Sequence, residues 1–192
     1  MHLSEHEVLE VLVEPVCAVC ALTARAGRTY LAGVIEGGIN DPETRADWRR
    51  RGGLCRHHWG VARGLEAPAL PLAILAEDLL EEGLKGRLPR PPRCPACAVE
   101  AEAEARYLAA LAALPEPRLF SALKAGKGFL CLDHLARLPE GKRKARFRAR
   151  LEEILADLEV FQRKHDYRFA KEPMGRERDA WLRAVRALGG AV

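Results

Sequence analysis

Apolar residues along this chain recur mainly at three- and four-residue spacing, and the pattern predicts helices almost throughout. Ser4 and Glu7 make a capping-box pair ahead of Val8, Leu9 and Leu12, which predicts a short first helix running toward Pro15. A second helix follows Cys20 and passes through Tyr30 and Leu31 to the Gly37, Gly38 break. A third occupies the Pro42 to Arg51 segment, where Gly52 and Gly53 end it. Between Pro68 and Gly86, Leu72, Leu75, Leu79 and Leu80 form an apolar stripe that Ile74 and Leu84 broaden. A long helix opens at Pro95 and runs through Tyr107 and Leu111 to Leu114. Phe147, Leu151, Ile154, Leu155, Leu158 and Phe161 then predict a long amphipathic helix between Gly141 and Phe169, whose apolar face completes the core. A terminal helix from Gly175 to Leu188 carries Trp181, Leu182 and Val185 and packs beside it. No segment alternates with period two, so the expected class is all-α.

Cysteine and histidine give this helical pattern a chemistry. Cys17, Cys20, Cys55 and His58 form a Cys-x-x-Cys and Cys-x-x-His set, and Cys94, Cys97, Cys131 and His134 repeat it. All six cysteines are used. A shift of 77 residues lays Cys17, Cys20, Tyr30 and Leu31 on Cys94, Cys97, Tyr107 and Leu108. A shift of 76 lays Gly52, Leu54, Cys55 and His58 on Gly128, Leu130, Cys131 and His134. His57 falls on Asp133, so His58 takes the ligand role and His57 becomes a surface or ligand-orienting group. Three thiolates and an imidazole complete a tetrahedral shell around a borderline-soft ion such as zinc. Pro95 at the first helical position puts Cys94 at the N-cap and Cys97 in the first turn, where the helix dipole favours thiolates.

Two pairings of the eight ligands present themselves. Each repeat closing on itself makes two sites of three cysteines and one histidine. Crossing like pairs makes one all-cysteine site and one of two cysteines and two histidines. The local pairing is expected, because a repeat should hold its metal before duplication and a loop within one repeat costs less entropy to close. A structural zinc contributes roughly 10–16 kcal/mol in small peptides, more than the net stability of many domains.

The stretch GRLPRPPR from Gly86 to Arg93 holds three prolines and cannot continue a helix, so it joins the halves. The resulting division is 1–86 for the first metal-binding repeat, 87–138 for the second, and 139–192 for a C-terminal helical segment packing on both. An ordinary loop inside one compact helical domain fits the same stretch equally well.

Composition narrows the setting. The chain has 192 residues, enough for a substantial core, with 48% hydrophobic residues. It shows no apolar run of roughly 18 residues and no signal-peptide pattern at Met1, which leads to a cytoplasmic expectation. In a reducing cytosol, closely spaced cysteines are metal ligands or redox centres more often than structural disulfides. Asn40 and Gln162 are the sole Asn and Gln among 31 Lys plus Arg and 27 Asp plus Glu, a balance that resembles thermophile composition.

The formal net charge of +4 hides an uneven distribution. From Arg118 onward there are 18 basic and 10 acidic residues, whereas residues 1–117 carry 13 basic and 17 acidic ones. Lys142, Arg143, Lys144, Arg146, Arg148 and Arg150 crowd the first turns of the predicted long helix, where the dipole disfavours positive charge. Attraction of nucleic-acid phosphates or an acidic protein face is the simplest use for such a patch. A solvated arginine-rich surface is the competing explanation. Arg45, Arg49, Arg50 and Arg51 around Trp48 add a lesser basic run without a nucleic-acid motif.

The segments CAVCALTARAGRTYLAG with GGLCRHHW, and CPACAVEAEAEARYLAA with GFLCLDHL, resemble a group of uncharacterised bacterial proteins that open on Cys-Pro-x-Cys and close on Gly-x-Cys-x-x-His. The resemblance spans residues 17–134 and implies two metal-binding repeats without implying an activity. The first repeat departs from the pattern by carrying Ala18 where the group has proline.

Three functional classes follow. The leading one is a non-enzymatic helical scaffold with two structural zinc sites, serving as an interaction or nucleic-acid-binding adaptor. Against it stands an iron-sulfur redox protein on the same ligands, although cluster cysteines are usually grouped more closely. The third is a thiol redox or zinc-dependent enzyme. Four protein ligands per site leave no open position for catalytic water, and neither Cys-x-x-Cys lies in a strand-helix setting. No residues present themselves as catalytic.

Overall fold

The computed structural model describes residues 3–66, 68–169 and 171–189. Its elements are α1 (Leu3–Val11), α2 (Ala18–Glu36), α3 (Pro42–Arg51), α4 (Arg56–Arg63), α5 (Ala69–Leu84), α6 (Pro95–Ala113), α7 (Glu116–Ala125), α8 (Leu132–Ala136), α9 (Lys142–Lys164) and α10 (Ala180–Ala187), with 3-10 turns at Gly38–Asn40 and Arg176–Asp179. The fold is all-helical. The described residues contain no strand, and an isolated parallel bridge joins Cys17 to Phe129. No described helix is long and apolar enough to cross a membrane.

Local chemistry sets the clearest boundaries. Asp41 accepts from the backbone N–H of Glu43 at 3.1 Å and of Thr44 at 3.0 Å, and Pro42 opens α3. Gly52 ends α3 in the left-handed region at φ 82°, and a β-carbon there would meet the Pro89 carbonyl oxygen at 2.6 Å. The arginines of α3 engage neighbouring carboxylates. Arg45 grips Asp78 with two hydrogen bonds of 2.7 Å, Arg49 reaches the same carboxylate at 3.0 Å, and Arg50 and Arg51 pair with Asp47. The first helix departs from expectation, because Leu3 is already helical and Ser4 lies buried inside α1. Glu7 accepts a 3.1 Å hydrogen bond from Tyr107.

The chain divides into two compact units that do not follow the three-part division read from the sequence. One unit holds residues 1–22 and 104–192, the other residues 23–103. The boundaries fall inside α2 and α6, so each of these 19-residue helices begins in one unit and ends in the other. In the 23–103 unit, Leu31, Val34, Ile35, Trp48, Leu54, Leu75 and Leu79 form a buried cluster. Trp48 donates to the Tyr30 hydroxyl at 3.1 Å and meets Trp59 edge-on. Of the stripe expected on α5, Leu75 and Leu79 are buried, whereas Leu80 and Leu84 face solvent.

In the other unit, residues 127–129 run beside the strap that follows α1. Lys127 and Gly128 donate to Val13 and Leu12, Phe129 donates to Val16, and Ala18 donates to Phe129. Gly128 is required by this approach, since a β-carbon would lie 2.7 Å from the Leu12 Cα. Phe147 and Ile154 anchor α9 in the core, while Leu155 is exposed. On α10 the buried residues are Ala180 and Ala187, whereas Trp181 and Val185 are 52% and 49% exposed. Small alanines let α10 approach closely, and the guanidinium of Arg183 supplies the link to α9 by reaching Asp157 at 3.1 Å.

Candidate metal centre

All eight sequence-predicted ligands converge in two groups, and the partition corrects the local pairing. One group is Cys17, Cys20, Cys131 and His134; the other is Cys55, His58, Cys94 and Cys97. Each takes the Cys-x-x-Cys of one repeat and the Cys-x-x-His of the other. This crossing also differs from the all-cysteine alternative, because both groups keep three sulfurs and one imidazole. Each lies within one compact unit.

Loop entropy was too weak a guide. Cys20 and Cys131 are 111 residues apart in sequence, against 35 between Cys20 and Cys55, a difference of only about 1 kcal/mol in closure cost. The stiffness of α2 and α6 outweighs it. A helix of 19 residues spans about 28 Å, so a chain leaving Cys20 ends α2 in the other unit, and the Cys55 knuckle that follows α3 belongs there.

Within the first group, the His134 Nδ1 lies 3.4 Å from the Cys17 sulfur, 3.4 Å from Cys20 and 3.0 Å from Cys131, and the Cys20 and Cys131 sulfurs are 3.7 Å apart. In the second, the His58 Nδ1 lies 3.2 Å from Cys55 and 3.4 Å from both Cys94 and Cys97, with Cys55 and Cys97 separated by 3.7 Å. A tetrahedral ion about 2.3 Å from sulfur and 2.0–2.1 Å from nitrogen spaces its donors by about 3.5–3.8 Å. The sulfur spacing matches that shell, and the imidazoles sit slightly inside it. All six cysteines are free thiols, none bridged to another.

Helix starts supply the geometry. Cys55 and Cys131 are the N-caps of α4 and α8, and Cys17 and Cys94 immediately precede α2 and α6. Each centre therefore gathers two helix N-termini, whose positive ends favour thiolates. A Cys-x-x-Cys across such a start brings its second sulfur back over the first turn, and the Cys-x-x-His knuckle does the same for the imidazole.

Two carboxylates that the motifs did not reveal stand behind the histidines. Glu104 Oε1 lies 2.9 Å from the His134 Nε2, and its other oxygen pairs with Arg137 at 2.5 Å. Glu100 Oε1 approaches the His58 Nε2 at 3.1 Å, but off the N–H axis, so this contact is an ion pair without a well-aligned hydrogen bond. Such carboxylates keep the ring proton on Nε2 and leave Nδ1 free for a metal. Glu100 and Glu104 are one turn apart on α6, three and seven residues beyond Cys97; that spacing was the available signal. His57 is exposed, its ring edge-on to His58.

The titration of the two sets differs between ligands. Burial opposes ionisation of Cys55, yet hydrogen bonds from the His58 backbone and ring, and from Cys97 and Cys94, hold its thiol down at about 7. Hydrogen bonds from Cys17 and Cys20, and from His134, lower Cys131 strongly. Bonding to Cys131 and Cys17, with burial, raises Cys20, and burial with the Cys55 and Cys94 contacts pushes Cys97 up to about 12. Burial disfavours a charged His134, but Cys131, Cys17 and Glu104 raise it to about 10. Each metal-free centre thus holds one ready thiolate against one proton-retaining imidazole.

The sequence-predicted basic patch is partly engaged inside the protein. Arg143 donates to the Leu114 carbonyl at the end of α6, Arg150 to the Leu123 and Gly126 carbonyls at the end of α7, and Lys144 pairs with Glu140. Arg146 covers the Phe120 ring at 5.3 Å. Lys142 and Arg148 project into solvent.

No protein-family model matches this chain, and neither the curated proteins nor the solved structures furnish a match.

Proposed function

We propose that this protein is a non-enzymatic helical scaffold fastened by two structural zinc ions, each held by three cysteines and one histidine, and that it serves as an adaptor presenting a basic face to a polyanionic partner. The observation that carries the reading is the donor spacing: the two sulfur pairs 3.7 Å apart and the imidazole nitrogens 3.0–3.4 Å from the thiols are at the scale of a single tetrahedral ion. A cluster of several irons and sulfides spreads its ligands farther apart, which weakens the iron-sulfur alternative. Four protein ligands per ion leave none of the open coordination that catalytic zinc uses, which weakens the enzyme alternative. Six free thiols suit a reducing, cytoplasmic setting.

Metal analysis of freshly purified protein, with an absorption spectrum, tests this. Two zinc ions per chain without a visible band support the scaffold. Iron accompanied by sulfide and a broad visible absorption overturns it. Replacement by Co2+ adds a second readout, since a tetrahedral thiolate-rich shell gives intense bands in the red that an octahedral site lacks.

A further inference from the structure

Two hollows lie along one face of α9. The first, about 540 Å³, is lined by Phe120, Ser121, Lys124, Arg146 and Arg150 among others. The second, about 450 Å³, is lined by Lys127, Asp157, Arg176, Arg178 and Arg183 among others. Arg150 and Glu153 wall both, so the hollows meet and make one groove. Along α9 its lining runs from Arg146 to Asp157, about 16 Å of helix.

The charges in this groove do not cancel. Every acidic side chain that lines it is held by an arginine: Glu153 by Arg150, Asp157 by Arg176 and Arg183, and Asp179 by Arg183. Lys124, Lys127 and Arg178 pair with no carboxylate among the described residues, and Arg146 has only the Phe120 ring. Four cations thus face a concave surface with their charge unanswered. At one end the stacked Arg146 and Phe120 offer a planar platform, the kind on which bases stack.

We propose that this groove binds single-stranded nucleic acid, with Lys124, Lys127 and Arg178 on phosphates and the Arg146–Phe120 platform under a base. The inference rests on the adaptor reading and moves its contact surface. Of the six cations from Lys142 to Arg150, Arg146 and Arg150 line the groove, and the unanswered charge comes largely from residues outside that run. A base can lie on the Arg146–Phe120 platform only when it is not paired within a duplex, which favours a single strand. A stacking platform beside unpaired cations favours nucleotides over an acidic peptide, which has no use for the ring.

Fluorescence anisotropy with a labelled twelve-residue deoxythymidine oligonucleotide and the full-length zinc-loaded protein tests it. Wild type should bind with a log–log salt slope between about −2 and −3, as three or four phosphate contacts require. Lys127→Glu with Arg178→Glu should weaken binding about tenfold or more, while Lys142→Glu with Arg148→Glu, the same change in net charge, should weaken it much less. Phe120→Ala should lower affinity without altering the slope. Equal losses from the two charge-reversed pairs overturn the groove while leaving a basic-face adaptor standing. Binding of a labelled polyglutamate but not the oligonucleotide overturns the groove in favour of an acidic protein partner, and binding of neither removes the adaptor reading as well. Helical circular dichroism and two metals per chain verify each variant; if the Lys127, Arg178 reversal fails that check, Lys127→Ala with Arg178→Ala replaces it and should still lose severalfold.

Discussion

Gly27 on α2 faces Glu100 on α6 so closely that a β-carbon at residue 27 would lie 2.5 Å from the Glu100 Oε1, the oxygen that contacts His58. The 77-residue shift that aligns the repeats places Gly27 on Glu104 and Thr23 on Glu100. Both outer carboxylates therefore come from the second repeat. The missing side chain at Gly27 clears the space into which Glu100 reaches.

Gly27→Ala should accordingly push Glu100 away from His58 and weaken metal binding at the Cys55, His58, Cys94, Cys97 centre by about tenfold, the lower end of the range for a lost outer-shell carboxylate. Glu100→Gln should act similarly, and the two together should cost less than the product of the single effects. Competition with a chromophoric chelator, resolving two affinities, would measure this. A loss at the Cys17 centre instead would contradict the contact.

The crossed pairing has a direct stoichiometric test. Replacing Cys17, Cys20 and Cys131 by serine together with His134→Ala removes one whole centre and should leave one zinc per chain. Replacing Cys17, Cys20 and Cys55 by serine with His58→Ala removes half of each centre and should leave no tightly held zinc. The first variant keeps the Leu31, Trp48 and Leu75 cluster with its own metal and should show a cooperative melt; the second should not. Equal metal content in the two variants would refute the partition.

Metal affinity should rise with pH at both centres. In the metal-free protein His134 is held at about 10 and Cys97 at about 12, so at neutral pH both carry protons that ligation must expel. Each expelled proton contributes up to about tenfold per pH unit. Cys55, at about 7, adds its own proton below that pH and is already a thiolate above it, so the slope at its centre should shallow as pH passes through about 7. Glu104→Gln lets His134 release its proton more easily but removes the carboxylate that orients the ring and raises its basicity toward a metal; the second effect should dominate, so binding at the Cys17 centre should fall by about 10–100-fold while its pH dependence shallows. Chelator competition at pH 6, 7 and 8 would check both effects; an affinity independent of pH would count against ligation by these groups.

Asp157 is buried on α9 and bonded to Arg176 at 2.7 Å and Arg183 at 3.1 Å. Asp157→Ala leaves Arg183, itself 12% exposed, without its inner carboxylate, though Asp179 still accepts from it at 2.9 Å. Arg176 is largely exposed and its bond contributes little. The expected cost is about 2 kcal/mol, below that of breaking a fully buried pair, and is read as a lower urea midpoint at unchanged slope.

Legibility followed the range of the interaction. Local signals carried far: the ligand types and spacings named all eight donors, and Pro42, Gly52 and Pro95 marked the helix ends where the structure has them. The short helices α4, α7 and α8 escaped because none has a side-chain N-cap to mark its start, whereas α3, no longer than α7, is bracketed by Asp41, Pro42 and Gly52. The terminal helix carrying Trp181, Leu182 and Val185 lies beside α9 as read, but the residues it buries are Ala180 and Ala187, because close packing selects small side chains that an apolar pattern does not single out. Partner choice among identical knuckles is a property of tertiary structure, since Cys55 and Cys131 look alike from the vantage of Cys17 and Cys20. The helices between them decide, and their stiffness outweighs a small difference in closure entropy.

In chain order the four residues of the Cys55 group fall between the two halves of the Cys17 group, and this sets the order in which the two sets are completed during synthesis. A ribosome delivers Cys17 and Cys20 early, but their partners, Cys131 and His134, emerge only after Cys55, His58, Cys94 and Cys97 are all available. The Cys55, His58, Cys94 and Cys97 set is complete on a nascent chain while Cys17 and Cys20 still lack Cys131 and His134. Any product truncated between Cys97 and Cys131 therefore carries Cys17 and Cys20 as two thiols without the other half of their set.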